Sequence, residues 1–183
     1  MPQTILVTGA TGGVGSIAVA IMSKAGYRVV AATGKAAESD FLLSLGAAEV
    51  IDRESVLAGA ERPLMKERWA GVVDVVGGEM LAAAIKSTRY GGTVTCCGLV
   101  GSADLVVNVF PFILRGVSLL GIDSVQCPDD VRRTVWEWLA GKWKPAGLES
   151  AATECTLQTL EEHIQTMLSG GSRGRVLVNL LES

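Results

Sequence analysis

Glycines crowd the stretch Thr8-Gly9-Ala10-Thr11-Gly12-Gly13-Val14-Gly15, between a short apolar run and an apolar helical pattern. A tight turn from strand into helix leaves backbone N–H groups unpaired at the helix N-terminus, where the helix dipole also favours negative charge. The chemistry on offer is binding of a pyrophosphate. Set against G-x-G-x-x-G/A, the segment reads Ala10-Thr11-Gly12-Gly13-Val14-Gly15, with alanine in place of the first glycine. Gly12 is expected to let the backbone approach the pyrophosphate, and Gly15 to let the helix pack closely on the first strand. No Gly-Lys-Ser/Thr follows, which disfavours a mononucleotide P-loop.

The tip of the second strand bears on which dinucleotide fits. A site for NAD places Asp or Glu there to bind the ribose 2′-hydroxyl. Here the strand runs into Ala32-Thr33-Gly34-Lys35, with no carboxylate at the tip. Lys35 can pair with a 2′-phosphate and Thr33 can hydrogen-bond to it. Glu38 follows as a competing ribose acceptor. Arg53, just after the third strand, can add a second positive charge. The bland alternative is an exposed turn lysine and a solvated loop arginine. The balance predicts NADP(H) over NAD(H).

The elements that must hold these residues follow from periodicity. Short Val/Ile-rich runs alternate with helical patterns, as in a parallel sheet covered by helices. Strands are expected at 4–8, 27–32, 49–51, 71–76, 93–97 and 117–122, with a final one at 176–180. Helices are expected at 14–24, 39–45, 80–88, 131–139 and 157–168, and residues 53–68 read as irregular with one helical turn. The fold class is α/β, a Rossmann-type doubly wound parallel sheet of about six strands, whose ligand crevice lies at the strand carboxyl ends.

Composition narrows the partners. With 49% apolar and 19% charged residues over 183 positions, the chain reads as a soluble globular protein with a substantial core. A net charge of −3 and no basic block argue against nucleic acid. No apolar run reaches membrane-span length, and no basic region precedes the first one as in a signal peptide. Cys96, Cys97, Cys127 and Cys155 form no C-x-x-C pair, and reduced thiols fit a cytoplasmic location. One histidine, His163, and scattered cysteines supply no zinc site, so no metal is expected. Neither Tyr27 nor Tyr90 has a lysine four residues on, which removes a short-chain dehydrogenase.

The glycine turn is similar to that of quinone-oxidoreductase-like medium-chain dehydrogenases/reductases. Ser44-Leu45-Gly46-Ala47-Ala48-Glu49-Val50, Arg89-Tyr90-Gly91-Gly92, Cys97-Gly98-Leu99, Phe110-Pro111-Phe112-Ile113-Leu114-Arg115-Gly116-Val117 and Leu120-Gly121-Ile122-Asp123-Ser124 resemble the NADPH-dependent acryloyl-CoA reductase group. The resemblance covers almost the whole chain. It implies that Thr11, Gly12, Gly13 and Val14 hold the pyrophosphate, and that Thr33, Gly34 and Lys35 hold the 2′-phosphate. The group often has Ser and Arg around that second turn; lysine keeps the charge but loses the bidentate fork. Arg53, Leu99, Ile113, Ser124 and Arg175 match further cofactor contacts. Their plain alternatives are core packing for Leu99 and Ile113, a turn cap for Ser124 and a surface charge for Arg175.

The resemblance also implies hydride transfer from NADPH to the double bond of an α,β-unsaturated acyl-CoA, or to a quinone, in a homo-oligomer. Relatives carry a GroES-like catalytic domain before the glycine turn, and here the strand-and-turn motif begins at residue 5. The expectation is an NADP-binding domain over 1–150. A C-terminal segment, 151–183, would join the catalytic domain, and the chain alone would be inactive or weakly active. No catalytic residue is assigned. Tyr90 is expected to be a packing residue, and Cys96 and Cys97 small buried residues near the cofactor. The alternative from another class is a non-catalytic dinucleotide sensor or interaction domain.

Overall fold

In β1 (Thr4–Val7), Leu6 packs to one side and Val7 to the other, and both are fully buried. This is the pattern of a strand covered on both faces. The computed structural model describes residues 2–181. Five more parallel strands join β1: β2 (Arg28–Ala32), β3 (Glu49–Ile51), β4 (Trp69–Asp74), β5 (Thr88–Cys96) and β6 (Ser118–Gly121). Their order is β3-β2-β1-β4-β5-β6, the doubly wound arrangement, with its switch point between β1 and β4.

Helices α1 (Gly15–Lys24) and α2 (Ser39–Ser44) cover one face through Val19, Ala20, Phe41 and Leu42. On the other face α4 (Gly78–Lys86) buries Met80, Leu81 and Ile85 against Val72 and Val94, and Val56 of α3 (Arg53–Leu57) joins them. Asp52 caps α3 by accepting the Ser55 N–H at 2.7 Å.

Beyond β5 come α5 (Phe110–Arg115), β6 and α6 (Asp129–Ala140). A second, two-stranded parallel sheet pairs β7 (Ala152–Thr156) with β8 (Arg175–Asn179), joined by α7 (Leu160–Leu168). Ala151, just before β7, is buried in the α1–α2 core, so this unit is anchored to the main domain.

The structure departs from the sequence reading in two strand bounds, one side chain and two elements. β4 stops at Asp74, because that side chain accepts the Gly77 N–H and turns the chain. Pairing shifts register between Trp69 and Gly71, so β5 begins at Thr88. Tyr90 lies in this bulged stretch and is 78% exposed, hence not a packing residue. Two elements escaped the sequence reading: α5, which carries Pro111 in its first turn, and β7, which buries only Cys155 fully and lacks an apolar run.

Candidate functional site

Because all six strands of the main sheet run parallel, every strand delivers its following turn to the same rim. The glycine turn follows β1, Thr33-Gly34-Lys35 follows β2 and Arg53 follows β3. Cys97-Gly98-Leu99 follows β5 and Ser124 lies just after β6. The expected site residues thus fall on both sides of the β1/β4 switch point.

The glycine turn is built from the backbone. Gly12 N–H donates to the Gly9 carbonyl at 3.0 Å, and Ala10 N–H to the Ala32 carbonyl at 3.1 Å, which ties the turn to the tip of β2. Gly9 carries the positive φ of the turn, +56°, so it performs the turning role that the motif gives its first glycine. Ala10 is therefore tolerated one position on. Val14, at the helix N-cap, brings no side-chain cap. The N–H groups of Gly13 and Val14 take no acceptor among the described residues. Two donors stand open at the positive end of a ten-residue helix.

Arg175 lies over this opening. A Cβ built on Gly13 would sit 2.0 Å from Arg175 Nη1, so the guanidinium rests directly against the glycine. It reaches the turn because Gly174 N–H donates to the Thr11 carbonyl at 2.9 Å, bridging the start of β8 to the turn. A guanidinium beside open backbone donors at a helix N-terminus fits a pyrophosphate.

At the β2 tip, the hydroxyls of Thr11 and Thr33 lie 3.2 Å apart, and Thr33 Oγ1 accepts the Lys35 N–H at 3.1 Å. The Arg53 side chain packs against Gly34, whose built Cβ would be 2.8 Å from Arg53 Nε. Lys35 donates its ammonium to the Ser172 carbonyl. Glu38 carries an ion pair with Arg173 at 3.1 Å. Arg53 thus packs against Gly34 and Lys35 follows it in the chain, which gives this turn two cations.

On the far side of the switch point, an open cleft of about 410 Å³ is lined by Cys96, Cys97, Gly98, Leu99, Gly121, Ile122 and Asp123. Leu99 is 68% exposed at its edge, and Ile113, on α5, is equally exposed, so neither is core. Ile113 and Ser124 do not line this cleft. Ser124 gives its carbonyl to Arg132 at 2.8 Å. Cys97 is exposed and Cys96 partly so, rather than buried. Partial burial and the nearby Asp74 carboxylate push the Cys97 thiol up, which keeps it protonated and a poor nucleophile.

The sequence reading missed Asp74, a fully buried carboxylate at the end of β4. Its Oδ1 accepts the Thr8 hydroxyl at 2.6 Å and its Oδ2 accepts the Gly77 N–H at 2.8 Å. Thr8 Oγ1 in turn accepts the Val75 N–H at 3.1 Å. The signal was a lone carboxylate within Val72-Val73-Asp74-Val75-Val76. It also missed Arg173. Among the described residues, no group of three or more His, Cys, Asp or Glu is placed to hold a metal ion, and no helix is long and apolar enough to cross a membrane.

Residues 13–141 match the family profile described as zinc-binding dehydrogenase. The acrylyl-CoA reductase AcuI of Ruegeria pomeroyi is 45% identical over 176 residues, which are 96% of this chain and 53% of that protein. The crystal structure of Bacillus subtilis YhfP with NAD bound superposes with a TM-score of 0.91 at 48% identity, over 97% of this chain and 54% of that one. That protein is assigned by name only as a quinone oxidoreductase. Escherichia coli YhdH, crystallised with NADPH, superposes at 0.90 with 41% identity, over 96% of this chain and 54% of that one. The chain spans about half the length of the curated relatives it matches. The zinc in the family's description finds no ligand set among the described residues, and none of the site's geometry is assigned to a metal.

Proposed function

This chain belongs to the zinc-binding dehydrogenase family, among its quinone and acrylyl-CoA reductase relatives, and we propose that it is the NADP(H)-binding part of such a reductase. The proposed reaction is reduction of the double bond of a small α,β-unsaturated acyl-CoA, or of a quinone. When bound, NADPH supplies the hydride from its nicotinamide ring.

The observation that carries this reading is the pairing of two sites on one rim. Gly13 and Val14 N–H, with Arg175 against Gly13, receive the pyrophosphate. Thr33, Lys35 and Arg53 around Gly34 receive the 2′-phosphate. Thr11 and Gly12 shape the turn between them, and Leu99, Ile113 and Ser124 belong to the nicotinamide half of the path. The proposed cofactor domain spans 1–150. The β7–α7–β8 segment, 151–183, contributes Arg175 to the site.

The test is calorimetric titration of this chain with NADPH and NADH. Charge-assisted hydrogen bonds to a phosphate are worth roughly 1.5–3 kcal/mol each, so NADPH is expected to bind at least about tenfold tighter. Equal affinities would overturn the NADP(H) reading, and no binding of either would overturn the dinucleotide site.

A homo-oligomer is also proposed. β6 ends the sheet as an edge strand, with Leu120 50% and Ile122 53% exposed beside it, and a second copy pairing there would cover both. Sedimentation at micromolar concentration is expected to show a dimer; a monomer would remove this reading. The four free cysteines accord with a reducing, cytoplasmic location.

A further inference from the structure

The carboxylate that could recruit the wrong cofactor is already engaged. Glu38 is the partly buried carboxylate of the turn after β2, three residues beyond Lys35 in a 3₁₀ turn whose Glu38 N–H donates to the Lys35 carbonyl at 3.0 Å. A free carboxylate there accepts a ribose 2′-hydroxyl and repels a 2′-phosphate. Glu38 is not free. Arg173 Nη1 donates to Glu38 Oε2 at 3.1 Å.

Arg173 comes from the opposite end of the chain, 135 residues away in sequence, and three contacts fix its position. Its neighbour Ser172 accepts the Lys35 ammonium, and Gly174 N–H is bonded to Thr11. Its guanidinium lies over the Phe41 ring, 4.6 Å from the centroid, and Phe41 is itself a core residue. The arginine side chain stays 43% exposed and spends one donor on Glu38 among the described residues. The rest of its fork meets no acceptor among the described residues.

We propose that Arg173 sets the preference for a 2′-phosphorylated dinucleotide at this rim. It holds the Glu38 carboxylate out of use and places a further guanidinium beside Lys35. The inference rests on the proposed dinucleotide site and adds a selectivity device that neither the glycine motif nor the β2 tip contains. It also assigns a task to the 172–175 strand entry: residues remote in sequence complete the phosphate site. Where the ligand carries only a 2′-hydroxyl, Arg173 contributes nothing favourable and sequesters the natural acceptor.

The experiment titrates the 183-residue chain with NADPH and NADH, for the wild type, Arg173→Ala, Glu38→Gln and the double variant, with thermal melting as a check on folding. Arg173→Ala is expected to raise the Kd for NADPH about tenfold and to leave that for NADH unchanged or lower. In the Glu38→Gln background the same removal is expected to cost less, because no carboxylate is unmasked. An equal loss for both cofactors would show that Arg173 serves only to hold the strand entry in place, and no change for either would remove it from the site; both results overturn the inference. A wild-type chain that binds neither cofactor would overturn the underlying site. A wild type that prefers NADPH, with an Arg173→Ala variant that prefers it equally, would overturn the inference alone.

Discussion

Gly15→Ala is expected to reduce NADPH affinity by about 100-fold or more and to destabilise the chain at the same time. A Cβ at this position would stand 2.3 Å from the Gly9 carbonyl oxygen and 2.8 Å from Ala10 Cα. Both obstacles are backbone of the turn itself, so no side chain can swing aside. Overpacking of this kind costs roughly 1–3 kcal/mol, and rigid backbone places it at the upper end. Relief requires α1 to move off the turn. That movement withdraws the Gly13 and Val14 N–H groups, each worth roughly 1.5–3 kcal/mol to a bound phosphate, and two such losses give the stated factor. Gly12→Ala should be milder, because its Cβ would meet only the Gly9 carbonyl at 3.3 Å. Gly121→Ala opens into free space and is expected to leave stability within about 0.5 kcal/mol. Denaturant midpoints and calorimetric titration read both quantities; a Gly15→Ala chain that binds NADPH as the wild type does would remove the glycine turn from the site.

The difference between these glycines could not be read from their spacing. The motif located the turn and the helix that follows, because apolar periodicity and glycine clustering are local properties of the chain. It assigned the turning role to the position held by Ala10, whereas the positive φ falls on Gly9. Which backbone atoms approach which is a consequence of the folded turn, and sequence spacing carries no distance.

The same distinction separates the residues of the proposed phosphate site. Thr33, Lys35 and Arg53 could be named from the sequence because each lies within three residues of a strand's end, and parallel strands deliver such residues to one rim. Arg175 entered through family resemblance, and the structure places it against Gly13. Arg173 carried no local signal: its partner Glu38 lies 135 positions away, and the pairing exists only because β8 starts beside the glycine turn. α5 and β7 were missed for the opposite reason. One is a six-residue helix, too short for a 3.6-residue period to show, and the other carries a single fully buried residue, Cys155, among polar and small neighbours, which leaves no apolar alternation to read.

Asp74→Ala carries the largest expected loss of stability, and its pH dependence separates charge from hydrogen bonding. The carboxylate is fully buried and joins the ends of β1 and β4 on the two sides of the switch point, accepting from Thr8 at 2.6 Å and from Gly77 at 2.8 Å. Alanine leaves a buried hydroxyl and a buried N–H without an acceptor, at roughly 1–3 kcal/mol each, so a total of about 2–6 kcal/mol is expected. The glycine turn, which begins at Thr8, should loosen with it, and cofactor affinity should fall in parallel. Asp74→Asn keeps the shape and one acceptor, and about 1 kcal/mol is expected at neutral pH. Burial raises the native pKa of Asp74 above its ordinary value of 3.8, against the opposing hydrogen bonds from Thr8, Gly77 and Val76. The native state therefore holds this proton more tightly than the unfolded chain does. The advantage of aspartate over asparagine is greatest below pH 3.8, declines as pH rises through the native pKa, and is constant above it. Denaturant unfolding of both chains across that window, taken as a difference at each pH, cancels the other carboxylates. A difference that grew with pH would mean that the ionised form is the one the native state favours, and an Asp74→Ala chain as stable as the wild type would show that packing and the backbone ladder hold the two strand ends together without this carboxylate.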